Sequence, residues 1–198
     1  MPQGTGNTIV QLLGDRATNP TTGASSPLTP FGFFFANPTT LYVADEGNAT
    51  IGTDSQGNPI LVSDPLAGLQ KWVLVDNVWT LEYVMQDGLE LNVPDRVPGY
   101  PVATYTTGLR NLTGRVNNDG TVTIYAITAQ TSSISGGEPD PTKLVTISDE
   151  LAATHLPLHD RSDDRGHFGN REDLDHFVTL RRSTPGDVLR GVAFAPKP

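Results

Sequence analysis

The densest group of side chains that could do chemistry is the charged stretch His159–His176. Three oxygen-bearing residues occupy alternate positions in it, as in a calcium-binding loop whose hard oxygen ligands converge on one cation: Asp160, Ser162 and Asp164. Against such a loop, Arg165 stands where an EF-hand needs glycine, and Arg171 stands where it needs glutamate. Three hypotheses therefore stay open: a Ca²⁺ site on these three residues, a solvated loop without a cofactor, and a transition-metal site on the imidazoles of His155, His159, His167 and His176.

A second group of polar residues, two of them acidic, lies at the end of a predicted strand and leads into an insert over residues 49–67. Its members are Asp45, Glu46 and Asn48. These side chains could bind a ligand or a cation. They could equally be turn residues that hydrogen-bond their own backbone.

Two arginines, Arg110 and Arg190, stand 80 positions apart at matching points of a repeat described below. Their guanidinium groups could hold an anionic ligand through paired donors, or they could bridge neighbouring strands. Four aromatic residues could likewise form a sugar-stacking platform or belong to the core: Trp72, Trp79, Tyr83 and Tyr100.

The elements that must position these residues are strands. Runs rich in β-branched and aromatic residues alternate with Gly, Pro, Asn and Asp, which is the pattern of strands joined by turns. Asp76-Asn77 and Asn118-Asp119-Gly120 are typical of tight hairpin turns. The predicted strands are Thr8–Leu13, Phe31–Ala36, Thr40–Asp45, Gln70–Asp76, Val78–Gln86, Leu112–Asn117, Thr121–Ala129, Lys143–Asp149, Phe177–Arg182 and Leu189–Ala195.

A unit of four strands occurs twice along the chain. Aligning Gly32, Asn111 and Gly191 gives spacings of 79 and 80 residues. Repeated four-stranded antiparallel units are the blades of a β-propeller, in which each blade needs a neighbour on both faces. The alternative is a β-sandwich whose halves are similar by accident.

We therefore predict one all-β domain over residues 1–198, a partial β-propeller. It would comprise a flanking strand at 8–13, a first blade at 31–86, a second blade at 109–183 and a flanking strand at 189–195. Two blades cannot close a ring. The open blade faces and end strands accordingly predict a homo-oligomer.

Part of the chain resembles a known class of proteins. Leu41-Tyr42-Val43-Ala44-Asp45-Glu46-Gly47-Asn48 is similar to the core of NHL-type propeller repeats, and Leu189-Arg190-Gly191-Val192-Ala193-Phe194-Ala195 resembles a motif of large, secreted, mostly uncharacterised bacterial propeller proteins. The resemblance covers about residues 28–198, that is, the C-terminal blades of such proteins. It implies a propeller in a secreted, extracellular or periplasmic setting, although no export signal opens this chain. It implies no particular activity, because many propellers only bind.

The composition narrows the function further. A net charge of −9 and a pI near 4.7 argue against a nucleic-acid partner, and no apolar run approaches the ~18 residues of a membrane span. The absence of cysteine excludes cysteine nucleophiles and disulfides. The predicted function is a non-catalytic binding or assembly module. The alternatives are a divalent-cation-dependent hydrolase resembling gluconolactonases, with its cation near Asp45, and a lectin-like propeller that binds carbohydrate.

Overall fold

The computed structural model describes residues 28–47, 50–62, 64–91, 93–133, 140–156 and 174–195. Within these ranges the chain forms eleven strands and no helix. The strands are β1 (Pro30–Asn37), β2 (Thr40–Asp45), β3 (Thr50–Thr53), β4 (Pro59–Val62), β5 (Gly68–Val75), β6 (Val78–Met85), β7 (Pro94–Asp95), β8 (Thr104–Val116), β9 (Thr121–Ser132), β10 (Lys143–Glu150) and β11 (Val178–Arg182).

The strands form two large antiparallel sheets. The first has the order β1-β2-β5-β6, and the insert between β2 and β5 carries a separate hairpin of β3 and β4. The second has the order β11-β10-β9-β8-β7. Asp76 and Asn77 both adopt positive φ in the β5–β6 turn, as a tight twisted hairpin requires. The all-β prediction is confirmed.

The main core lies between the two sheets. Side chains alternate along each strand, so one face of the first sheet turns its apolar residues toward one face of the second. Residues of the first sheet in this core include Tyr42, Ala44, Leu69 and Met85, and residues of the second include Val122, Ile124, Val145 and Ile147. Every one of these eight side chains is nearly inaccessible to solvent.

The other face of the first sheet has a different character. Leu41, Val43 and Trp72 are buried there, under a layer of more exposed aromatic side chains. That layer includes Phe33, 67% exposed, and Phe35, 51% exposed, with Trp79 packed against the Phe35 ring. We call Phe31, Phe33, Phe35 and Trp79 the phenylalanine face; together with Leu41 and Val43 they line a shallow hollow of about 370 Å³.

Two predicted strands differ from the structure, and one cannot be compared. Residues 187–195 form no strand, so the prediction for Leu189–Ala195 is wrong: this segment hydrogen-bonds the Thr142 side chain instead of a strand edge. The strand predicted at Leu112–Asn117 begins earlier, at Thr104. The strand predicted at Thr8–Leu13 lies outside the described residues.

The described part of the chain contains no helix with the length and apolar character that crossing a bilayer requires.

Candidate functional site

Three of the predicted binding residues come together beside β8. Arg110 and Arg190 both line a hollow of about 230 Å³, which we call the arginine pocket. Glu46 lies at its edge, where its Oε2 accepts a hydrogen bond of 2.8 Å from Nε of Arg110. The remaining residues lining the pocket are Phe31, Asn111, Ile127, Thr128, Gln130, Asp140, Thr142, Val188 and Leu189.

A β-bulge in β8 presents Arg110. Leu109 pairs with Thr128 of β9, and the next regular pair joins Leu112 to Ala126. Two residues of β8 therefore stand opposite one residue of β9, which bends the strand and redirects its side chains. Arg110 is exposed at this point, although it follows the completely buried Leu109.

Two glycines let the sheets approach closely at the same place. A Cβ at Gly108 would lie 2.3 Å from the backbone oxygen of Asp45, and a Cβ at Gly32 would lie 2.9 Å from the backbone oxygen of Arg110. Both distances are shorter than a carbon and an oxygen tolerate without a shift. Glycine at these two positions therefore brings the ends of β1 and β2 against β8.

The segment that carries Arg190 is attached to the second sheet by side chains. The Leu189 N–H donates to Oγ1 of Thr142 at 2.9 Å, and the same hydroxyl donates to the Leu189 carbonyl at 3.2 Å. Nδ2 of Asn111 donates to the carbonyl of Arg190. Arg190 is thereby held opposite the bulge of β8 without belonging to a strand.

The electrostatics of the arginine pocket suit a negatively charged group. The Arg110 guanidinium lies 5.6 Å from the centre of the Phe31 ring and uses its Nε for Glu46. Among the described residues, no hydrogen bond or ion pair occupies the guanidinium of Arg190. The one carboxylate lining the pocket, Asp140, accepts a hydrogen bond of 2.6 Å from the Tyr100 hydroxyl.

Asp45 lies close by but does not line the arginine pocket. It is completely buried, and its two oxygens accept hydrogen bonds from Thr29 N and Oγ1, Gly47 N and Gln70 Nε2 at 2.6–3.1 Å. Burial raises the pKa of Asp45, while the hydrogen bonds of Thr29 and Gly47 act to lower it. With four donors around it, this carboxyl group anchors the chain before β1 to the end of β2.

The other predicted site residues fall elsewhere. Asn48 and the calcium triad of Asp160, Ser162 and Asp164 lie outside the described residues. Within the described ranges, no group of three or more His, Asp or Glu side chains is placed to hold a metal ion. The aromatic platform is not formed: Trp72 and Tyr83 are buried on opposite faces of the first sheet.

A larger hollow than the arginine pocket lies at another edge of the two sheets, between the β6–β7 connection and the start of β11. It is an open groove of about 920 Å³. Its charged groups pair with one another: Nδ1 of His176 lies 2.8 Å from Asp87, and Arg182 lies 3.9 Å from Glu90. This pairing leaves the groove less suited to a charged ligand than the arginine pocket.

The sequence interpretation missed a buried polar cluster between the sheets. Nζ of Lys71 lies 2.9 Å from Oδ2 of Asp149, and both side chains are completely inaccessible. The Tyr42 and Tyr83 hydroxyls also donate to Asp149, and Lys71 donates to the carbonyls of Glu150 and Ala153. The sequence contained a signal for this cluster. Lys71 lies two positions after Leu69 on β5, so both side chains point to the same buried face, where a lysine requires a partner.

Asp175 lies beside this cluster. It adopts a positive φ of 63°, and its two buried carboxyl oxygens have no hydrogen-bond partner among the described residues. Burial and then the close approach of the Asp149 carboxyl group raise the pKa of Asp175 to about 7. Burial and Asp149 also raise the pKa of Tyr42 and of Tyr83, so both phenols stay protonated.

A comparison of the chain with models of known protein families, with curated proteins and with solved structures finds no match.

Proposed function

We propose that this chain is a non-catalytic binding and assembly module that associates with further copies of itself through the phenylalanine face. One observation carries the proposal. Phe31, Phe33 and Phe35 are 51–67% exposed on the outer face of a sheet whose inner face is fully packed. Contiguous apolar surface of this kind on a folded domain is typical of an interaction site.

The proposal includes a blade-like relation between the two sheets. Each sheet contains four antiparallel strands in meander order, β1-β2-β5-β6 and β8-β9-β10-β11. Their first strands lie side by side, because Gly32 of β1 contacts Arg110 and Asn111 of β8. Asn111 in turn contacts the segment that contains Gly191. The three aligned repeat positions thus meet at one place, which supports the interpretation of the sheets as successive propeller blades.

The internal packing indicates what covers the phenylalanine face. A four-stranded meander of this same chain already covers the inner face of the first sheet. A sheet from a second copy would give the outer face the apolar cover that the described residues of one chain do not provide. Repeated units that bury surface only against neighbours behave in this way.

Light scattering coupled to size-exclusion chromatography tests the proposal. Phe35→Asp places a charge on the phenylalanine face. Val75→Asp places the same charge at a residue that is also 51% exposed but lies on the other face of the first sheet, in phase with the inward-facing Leu69 and Lys71. We expect an oligomer for the wild-type chain and for Val75→Asp, and a folded monomer for Phe35→Asp. A folded wild-type monomer at micromolar concentration would overturn the proposal.

A further inference from the structure

We propose that the arginine pocket binds a small carboxylate that also carries a hydroxyl group. The pocket adjoins the phenylalanine face, because Phe31 lines both, but its other ligand contacts would be ionic and polar. The test below therefore changes Arg190, which is not part of the phenylalanine face, so that loss of ligand binding can be told apart from loss of self-association.

The first requirement is a pair of cationic donors for the carboxylate. The Arg190 guanidinium is exposed and unpaired among the described residues, and Arg110 commits only its Nε to Glu46. The terminal nitrogens of both side chains are available in the same hollow. A planar guanidinium matches a carboxylate through two parallel hydrogen bonds.

The second requirement is a donor on the ligand. Oε1 of Gln130 is buried and has no hydrogen-bond partner among the described residues, although Nε2 of the same amide donates to Thr106 and Thr128. Within the part of the chain that the structure describes, Asp140 accepts a hydrogen bond on one of its two oxygens, from the Tyr100 hydroxyl. A hydroxyl group can donate to either acceptor, whereas a fully ionised anion such as sulfate offers no donor and would face the Asp140 charge.

The ligand's body would pack against Phe31, whose ring forms an apolar wall beside the Arg110 guanidinium. A hydroxylated carboxylate can come from two sources, a free hydroxy acid or a uronic acid unit of a glycan. The two sources share the chemistry that the pocket recognises, and the probes below distinguish them.

Calorimetric titration of the full chain with four probes tests the proposal. Malate represents the free hydroxy acid and galacturonate the glycan unit, while succinate lacks the hydroxyl group and galactose lacks the carboxylate. We expect malate or galacturonate to bind, and the one that binds identifies the source. We expect binding to weaken about tenfold or more in Arg190→Ala, because the variant loses the charged hydrogen bonds of one guanidinium to the carboxylate.

Two further variants test whether the measured binding depends on the guanidinium group of Arg190. Arg181→Ala removes an exposed arginine that does not line the pocket and should leave binding unchanged. Arg190→Lys keeps the charge but loses the planar pair of donors and should bind with intermediate affinity. The proposal is overturned if neither hydroxylated acid binds, if Arg190→Ala binds as well as the wild type, or if succinate binds as tightly as malate.

Discussion

At the scale of single residues, Lys71 and Asp149 are the clearest case of sequence positions whose role depends on partners far along the chain. The two charges lie completely buried between the sheets, where each would be costly alone. Two tyrosine hydroxyls and two backbone carbonyls complete their hydrogen bonds. The cluster joins β2, β5 and β6 of the first sheet to β10 of the second, and so fixes how the sheets pack.

Lys71→Met should therefore destabilise the chain by about 3–5 kcal/mol, because it leaves the Asp149 carboxylate buried without a cation. Urea unfolding measures the loss. Adding Asp149→Leu to the same chain should recover part of it, since no buried charge remains. A loss below about 1 kcal/mol for the single variant, the size found for exposed pairs, would contradict the described burial.

Asp175 should make stability depend on pH. Its folded-state pKa of about 7 lies above the ordinary value of 3.8. The folded chain therefore keeps a proton that the unfolded chain releases between about pH 4 and pH 7, and the free energy of unfolding falls as pH rises through that range.

Asp175→Asn supplies the comparison for this prediction. Asparagine also tolerates positive φ and carries no charge at any pH, so the variant should be close to the wild type near pH 4 and more stable above pH 7. Urea midpoints of both proteins across this range provide the measurement. Parallel pH curves for the two proteins would show that Asp175 ionises normally.

At the scale of elements, the crossing of β8 with the end of β2 depends on the absence of a side chain at Gly108. Gly108→Ala would place a Cβ 2.3 Å from the backbone oxygen of Asp45, and that backbone is fixed by the buried Asp45 carboxyl. We expect a loss of about 1–3 kcal/mol, the usual cost of overpacking.

Gly191→Ala is the matched control, because no atom lies within 4 Å of its Cβ position. Thermal unfolding should show a lower midpoint for Gly108→Ala and an unchanged one for Gly191→Ala. Equal midpoints for the two variants would mean that the sheets do not meet at Gly108.

The strand bounds are predicted best where a tight hairpin turn fixes how the two flanking strands pair with each other. The positive φ of Asp76 and Asn77 follows from their residue types, and β5 and β6 extend from that turn within two residues of their predicted bounds. The start of β8 could not be predicted in this way, because Gly108 and the bulge at Arg110 interrupt its alternation. Leu189–Ala195 alternates like a strand, but Thr142 and Asn111 bind its backbone in place of a ladder.

The residues of the arginine pocket could likewise be predicted only in part. The repeat alignment placed Arg110 and Arg190 at equivalent positions, and the structure brings both into one pocket. Gln130 and Asp140, which supply its acceptors, could not be predicted, because they reach it only through the pairing of β8 with β9 and the course of the chain before β10.

At the scale of the whole molecule, the two faces of the first sheet differ in how well they are covered. The inner face of the first sheet is covered by the second sheet, and the outer face leaves three phenylalanines exposed. No described residue of the same chain covers these three rings, and we propose that association of two copies removes them from water. We therefore expect the chain to self-associate through this face.

The emission of Trp79 tests this claim most directly. Its ring lies in the phenylalanine face, 5.8 Å from the ring of Phe35, whereas Trp72, the other tryptophan, is already buried within the single chain. As the protein is diluted from micromolar to nanomolar concentration, we predict a red shift of the emission and stronger quenching by acrylamide, because dissociation uncovers Trp79. Identical spectra and quenching at all concentrations, together with a monomeric mass, would contradict the account.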